Sequence, residues 1–153
     1  MKPSIYLAAA VLAVAATPVS AGEAEDFVRT FYADIQYEAD PMYRDKFVDP
    51  AKAKFEENDK TPDGDVGCID GILALYAQDY DDAAVKKTLK LEEKDSGDEA
   101  TVTAKFSLLD DNKPESMREI VWSLKKVGGA WKVADIAAPA DNWKLSELDC
   151  GGE

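Results

Sequence analysis

The hydrophobic pattern of this chain changes its period near residue 84, and this change constrains the fold more than any other feature. Before residue 84, apolar residues recur at spacings of three and four, which is typical of one face of a helix. After it, apolar and polar residues alternate, which is typical of strands with one buried face. Helices that precede antiparallel strands pack together against one face of the sheet. We therefore predict an α+β fold.

The first half contains four predicted helices. The segment 23–37 has one apolar stripe, and its acidic first turn suits the positive end of a helix dipole. Two Asp-Pro pairs predict the starts of short helices at 41–48 and 50–58, with aspartate as the cap and proline in the first turn. The segment 68–80 again has apolar residues at helical spacing, which predicts a fourth helix.

The second half contains the predicted strands. Alternation runs through 85–94, 100–109 and 117–137. The last segment is divided by Gly128-Gly129, which predicts a tight hairpin because two-residue hairpin turns require positive φ. The sheet is therefore expected to be antiparallel.

Three short motifs carry a resemblance to a known family. "FVRTFYADI" (27–35), "AQDY" (77–80) and "WKVADI" (131–136) are similar to segments of an uncharacterised domain family of secreted bacterial proteins. With the order of helices and strands, they resemble the cystatin-like, nuclear-transport-factor-2-like fold. The resemblance implies N-terminal helices packed on a curved antiparallel sheet of about four strands, forming a cone. It brings no catalytic residues, because this fold serves enzymes, carriers and interaction modules alike.

Asp135 is the unusual residue of the predicted sheet. With Val127 opposite Ala130, the hairpin places Asp135 opposite Trp122 on the apolar face. Enzymes of the cone fold, such as ketosteroid isomerase, hold acids and tyrosines in the open end of the cone, so Asp135 and Tyr32 are candidate catalytic residues. Desolvation would raise the pKa of the aspartate, as a general acid or base requires. The alternative is a structural acid that reaches water or caps a backbone group.

Residues 1–21 have the features of a secretory signal peptide. Lys2 precedes an uncharged apolar core at 5–16, and small residues end at Ala21. The core is too short to span a bilayer, which requires about 20 residues. We expect cleavage after Ala21, a periplasmic location, and one domain over 22–153.

Cys68 and Cys150 are the two cysteines of the chain. In an oxidising compartment they predict one disulfide. It would close a loop of about 80 residues, worth roughly 4 kcal/mol in the chain-entropy model. A redox-active pair would instead require close spacing such as C-x-x-C, so a structural bridge is favoured.

The chain is strongly acidic. It has 18 basic and 31 acidic residues and a net charge of −13. Such a surface repels nucleic acid and anionic membranes, and it favours a basic protein partner or a cation. The alternative is that the charge serves solubility alone.

The segment 59–70 has acids at spacings that approximate an EF-hand calcium loop, with Gly64 at the sharp turn. The candidate metal ligands are Asp59, Asp63, Asp65 and Asp70. However, the last ligand position holds an aspartate in place of the usual glutamate. We therefore favour a solvated connector between helices over a metal site.

Acids and tyrosines cluster between residues 76 and 82. The candidate binding residues are Tyr76, Asp79, Tyr80, Asp81 and Asp82. They would form a patch for a basic partner, since tyrosine is favoured in the cores of interfaces. The alternative is a helix end whose tyrosines cover the edge of the core.

These features favour a secreted binding protein without a cofactor. The chain has no histidine, which excludes Ser-His-Asp and Cys-His catalysis and histidine-ligated zinc or copper. The hypothesis is a non-catalytic protein-binding module, of the kind that immunity proteins and inhibitors represent. The alternative is a small-molecule binder or isomerase-like enzyme that uses the cone pocket.

Overall fold

The computed structural model describes residues 22–62, 64–111 and 113–150. The predicted signal peptide, 1–21, lies outside the described residues. The helices are α1 (Glu23–Ala33), α2 (Ala51–Asn58) and α3 (Asp82–Thr88), and a 3₁₀ helix spans Pro41–Lys46. The strands are β1 (Lys90–Asp95), β2 (Glu99–Ser107), β3 (Met117–Val127), β4 (Ala130–Ala138) and β5 (Trp143–Lys144). Among these residues, no helix has the length and apolar character needed to cross a membrane.

The predicted α+β class is confirmed, with a sheet of five strands in place of about four. All neighbours are antiparallel, in the order β1-β2-β3-β4-β5. The added strand, β5, has only two residues, which pair with Ala137 and Ala138. A strand of two residues is too short to show alternation, so the sequence pattern does not reveal it.

The first strand begins at Lys90, not at residue 85 as predicted. The preceding residues form α3, and the side chain of Asp81 caps it by accepting a hydrogen bond from the Ala84 N–H at 3.0 Å. Val85 is fully buried on this helix. A buried valine and an aspartate cap stabilise one more helix before the sheet begins.

The first predicted helix ends four residues early, at Ala33, where Asp34 takes an extended conformation. Residues 34–40 therefore leave the helix axis. The 3₁₀ helix at Pro41–Lys46 begins as predicted, since the side chain of Asp40 accepts a hydrogen bond from the Met42 N–H at 2.9 Å. The second Asp-Pro pair precedes α2 but makes no side-chain cap.

The predicted helix at 68–80 is wrong. This segment consists of turns, with one isolated antiparallel bridge between Ile72 and Ala77. We name residues 68–78 the 68–78 loop. Its backbone groups bond to side chains from distant parts of the chain, as described below, and these bonds replace those of a helix.

The β3–β4 hairpin follows the predicted register only near its turn. Gly128 and Gly129 have φ of 60° and 83°, as the turn requires. A β-bulge then lies on β4, where Ala134 is the extra residue: Leu124 pairs with Val133, and the next β3 residue, Ser123, pairs with Asp135. Because one extra residue reverses the facing of the rest of a strand, Asp135 lies opposite Ser123. The predicted pairing of Asp135 with Trp122 is therefore wrong.

Aromatic rings fill the space between the sheet and the helices. Phe31 of α1 packs on Trp122 with ring centroids 4.7 Å apart, and Tyr32 packs on Phe106 at 5.4 Å. These four side chains are at most 6% exposed. The predicted disulfide is confirmed: Cys68 and Cys150, 82 residues apart, are bonded, with Cα atoms 4.9 Å apart. It joins the 68–78 loop to the end of the chain.

Candidate functional site

An open groove lies between the 68–78 loop and residues 143–148, which we name the C-terminal segment. Its volume is about 280 Å³. The apolar side chains that line it are Ile69, Ile72, Leu73, Tyr76, Trp143 and Leu148. Asp70 and Gln78 line it as well, so the groove combines apolar walls with a carboxylate.

Tyr76 and Trp143 form the aromatic part of the groove. Their ring centroids are 4.8 Å apart and their planes differ by 33°. Tyr76 has φ of 47°, a left-handed conformation that costs a bulky residue roughly 1–3 kcal/mol. Both side chains are half-buried. The surrounding structure therefore holds a strained residue where its ring packs on tryptophan and still reaches solvent.

Glu38 holds the loop from inside the protein. Its carboxylate accepts hydrogen bonds from the Leu73 N–H at 2.8 Å and the Ala74 N–H at 3.0 Å. The residue is only 2% exposed. Burial raises the pKa of the Glu38 carboxyl from 4.5 to about 7, although the backbone hydrogen bonds oppose the rise. Glu38 therefore connects the shape of the loop to a group that titrates near neutral pH.

Tyr32 holds the same stretch of loop from α1. Its hydroxyl donates to the carbonyl of Ala74 at 2.9 Å and accepts from the Trp122 indole N–H at 3.1 Å. Burial raises the pKa of Tyr32, so the phenol stays protonated. This candidate catalytic residue thus uses its hydroxyl to connect α1, β3 and the loop.

Two further hydrogen bonds hold the start of the 68–78 loop. The Tyr37 hydroxyl donates to the carbonyl of Ile69 at 2.5 Å. The side-chain carbonyl of Asn58, the last residue of α2, accepts from the Ile69 N–H at 2.8 Å. With the disulfide at Cys68, these contacts fix the wall of the groove next to Asp70.

Asp135, the other candidate catalytic residue, holds the C-terminal segment. One carboxylate oxygen accepts the N–H groups of Ile136 and Ser146, both at 3.0 Å. The other oxygen lies 3.3 Å from the ammonium of Lys144. Asp135 is 6% exposed, so these contacts satisfy a buried acid. They position the segment that carries Trp143.

The structure divides the predicted binding patch. Tyr76 lies in the groove, Tyr80 packs partly buried on the core, and Asp79 is exposed beside the groove residue Gln78. The two other acids serve α3, as its cap (Asp81) and as an ion pair with Lys86 at 2.8 Å (Asp82).

The predicted metal ligands have other surroundings. Asp59 forms an ion pair with Arg44 at 3.0 Å, and Asp65 and Asp70 are exposed. Asp63 lies outside the described residues. Within 22–62, 64–111 and 113–150, no three acidic, cysteine or histidine side chains are grouped so that they could hold a metal ion.

Sequence reasoning missed Glu38 and Trp143. No motif marks Glu38, because a single glutamate before an Asp-Pro turn looks like an ordinary surface residue. Trp143 follows the last predicted strand and belongs to no periodic pattern. The sequence offered one indication that Trp143 lies near the 68–78 loop: it is five residues before Leu148 and close to Cys150, which the predicted disulfide joins to Cys68.

The chain matches no protein-family model and no curated protein in sequence. Its fold is similar to that of a chain in the crystal structure of the type VI native effector-immunity complex Tae3-Tai3 from Ralstonia pickettii. The TM-score is 0.50 at 16% identity, and the match covers 81% of this chain and 98% of the other. At this identity the likeness is one of fold.

Proposed function

We propose that this chain is a secreted, periplasmic, non-catalytic binding protein of the immunity or inhibitor type. Its partner is a basic protein that docks on the groove beside the Tyr76–Trp143 pair. The observation that carries the proposal is this pair, which buried side chains hold half-exposed in an open groove. Tryptophan and tyrosine at the centre of an interface contribute most of its binding energy.

Charge and fold both support a protein partner. The net charge of −13 favours association with a basic surface and speeds the encounter. The protein of similar fold comes from an effector-immunity complex, so that fold is compatible with binding a protein. From the resemblance of its sequence motifs, we also propose that the chain belongs to the uncharacterised family of secreted bacterial domains with the cystatin-like, nuclear-transport-factor-2-like fold.

The disulfide supports the proposed location. Disulfides persist in oxidising compartments such as the bacterial periplasm. A signal peptide cleaved after Ala21 would deliver residues 22–153 there.

The alternative, an isomerase-like enzyme that uses the cone pocket, has weaker support. That alternative needs a free acid near Trp122 in an open interior. In the structure, Trp122 packs on Phe31, and Asp135 binds the backbone of the C-terminal segment. The polar atoms of both candidate catalytic residues are thus used in holding the walls of the groove.

The test is capture of a partner by residues 22–153 from periplasmic and secreted proteins of the native host, followed by titration of the purified partner. We expect Trp143→Ala to weaken binding at least about thirtyfold, because truncation of an aromatic anchor costs about 2 kcal/mol or more. Val127→Ala is the control. It shortens a half-exposed apolar side chain at the hairpin turn, at the far end of β4 from β5.

The proposal would be overturned in either of two ways. In the first, the resin that carries the wild-type chain retains no protein more strongly than the same resin without the chain. The second is that the captured partner binds Trp143→Ala and wild type equally well while Trp143→Ala keeps the fold.

A further inference from the structure

We infer that the groove receives an arginine side chain of the partner, with the guanidinium on the Tyr76–Trp143 rings and against Asp70. This inference deepens the proposed function and depends on it for the identity of the partner. The peptide test below examines it without that partner.

The size of the groove fits one long side chain. Sites for small molecules usually measure about 300–1,000 Å³, and this groove measures about 280 Å³. Its aromatic rings suit a planar cation, because a guanidinium stacks on the faces of tryptophan and tyrosine. The aliphatic stem of arginine would pack on apolar wall residues such as Ile72 and Leu148.

The charges around the groove favour a cation. Asp70 lines it and Asp79 follows the lining residue Gln78, and neither forms an ion pair with a described residue. Lys144, next to Trp143, already lies within ion-pair distance of Asp135, at 3.3 Å, and of Glu147, at 3.9 Å. Among the described residues, the carboxylates of Asp70 and Asp79 are therefore available to a cation from outside, whereas the ammonium of Lys144 is already compensated by two acids.

Arginine fits better than lysine. Its planar, weakly hydrated guanidinium can stack on a ring and bind a carboxylate at once, whereas the lysine ammonium is compact and strongly hydrated. The protein uses this combination elsewhere: the Arg44 guanidinium lies 5.0 Å from the centre of the Phe55 ring and 3.0 Å from Asp59. The groove offers the same two groups, a ring and a carboxylate, to a side chain from outside.

The experiment titrates residues 22–153 with the peptide acetyl-Gly-Arg-Gly-amide and with versions in which citrulline, lysine or leucine replaces the arginine. Citrulline has nearly the shape of arginine without the charge. The readout is the NMR signal of the Trp143 indole N–H, assigned with Trp143→Phe, and the amide signals of the 68–78 loop. We expect saturable shifts with the arginine peptide, at least about fivefold weaker binding of lysine, and no saturable shift with citrulline or leucine.

The matched variants are Asp70→Asn and Glu92→Gln. Each removes one exposed carboxylate, but Glu92 lies on β1, at the opposite edge of the sheet from β5. Asp70→Asn should weaken binding of the arginine peptide at least about threefold, and Glu92→Gln should leave it unchanged. The difference between wild type and Asp70→Asn should shrink at high salt, because salt screens exposed charges.

Three outcomes would overturn the inference: no saturable shift with the arginine peptide, equal binding of citrulline or leucine, or shifts on acidic surfaces away from the groove. If the peptide fails while Trp143→Ala still weakens a captured partner, the arginine site is wrong and the proposed function stands. If the peptide binds as expected while the partner is indifferent to Trp143→Ala, the proposed function is wrong and the arginine site stands.

Discussion

The sheet and the 68–78 loop hold their backbones in different ways. In the sheet, each strand bonds to the next strand of the chain, so partners are near in sequence and form a regular ladder. In the loop, backbone groups bond to the side chains of Glu38 and Tyr32, which lie 35 to 42 positions away. Regular strands thus stabilise one another, whereas the loop depends on a few individual groups.

This difference has a consequence for function. A wall built from turns presents Tyr76 in a conformation that no helix or strand allows, and it does so beside a second segment that carries Trp143. The same construction makes the groove sensitive to single changes that leave the sheet intact. Four changes test the contrast.

The largest effect is expected from removal of the disulfide. Cys68→Ser with Cys150→Ser should lower the free energy of unfolding by about 4 kcal/mol, because the bridge closes a long loop in the unfolded chain. Chemical denaturation measures the loss. Hydrogen exchange should show faster exchange in the 68–78 loop and the C-terminal segment than in β2 and β3. Equal exchange protection of the loop and of β2 and β3 in the variant would contradict the contrast between the two regions.

The next effect is a pH dependence from Glu38. Its pKa is about 7 in the folded protein and 4.5 in the unfolded chain, so the folded state binds the proton more tightly. Its contribution to stability is therefore fully present below pH 4.5 and is lost as the pH rises through 7. A pKa difference of one unit between the folded and unfolded states corresponds to about 1.4 kcal/mol. The difference between 4.5 and about 7 therefore gives a full contribution of about 3 kcal/mol.

Glu38→Gln resembles the protonated side chain and should remove this dependence. The measurement is the free energy of unfolding of wild type minus that of Glu38→Gln, at several pH values between 4 and 8. The difference should fall as the pH rises, and the same subtraction for Glu92→Gln, which removes an exposed carboxylate on β1, is the control. A flat difference for Glu38→Gln would show that burial does not shift its titration.

A smaller loss is expected for Tyr32→Phe. The change leaves the Trp122 indole N–H and the Ala74 carbonyl without their partner in the core, which costs about 1–3 kcal/mol. Thermal or denaturant unfolding measures it. Tyr43→Phe is the matched control, since the Tyr43 hydroxyl makes no hydrogen bond with the described residues. If both variants lose equally little, the hydroxyl of Tyr32 does not support the loop.

The smallest effect is expected for Asp135→Asn. The asparagine oxygen can still accept the N–H groups of Ile136 and Ser146, and only the ion pair with Lys144, whose side chain is 44% exposed, is lost. Such pairs contribute about 1 kcal/mol or less. Asp135→Ala removes the acceptor and should cost more than Asp135→Asn in the same unfolding measurement. Equal losses would mean that the Ser146 contact contributes nothing.

The strands and their bulge show what a periodic pattern reveals. β2 and the turn of the β3–β4 hairpin follow directly from alternation and from Gly128-Gly129. The sequence also contains a signal for the bulge, because the apolar positions of β4 change phase between Val133 and Ile136. A strict two-residue period instead placed Asp135 on the inner face.

The 68–78 loop shows where the pattern fails. Its apolar residues have helical spacing, but Glu38 and Tyr32 bind its backbone, and tertiary contacts of this kind override a weak local preference. No local signal announces that a glutamate 35 positions earlier will be buried beneath the loop. For the same reason, the sequence pattern predicted Tyr76 as a binding residue but did not predict that Trp143 packs beside it.

The sequence by itself determined the α+β class, the antiparallel sheet, the disulfide and the acidic charge. The class and the sheet follow from hydrophobic periods of two residues and of three to four residues, which can be read within a short stretch. The disulfide and the charge follow from the presence of two cysteines and from the composition of the whole chain. Only the tertiary structure decided the groove. Its walls depend on side chains that bond to backbone groups far away in sequence, and such bonds form only after packing brings the partners together.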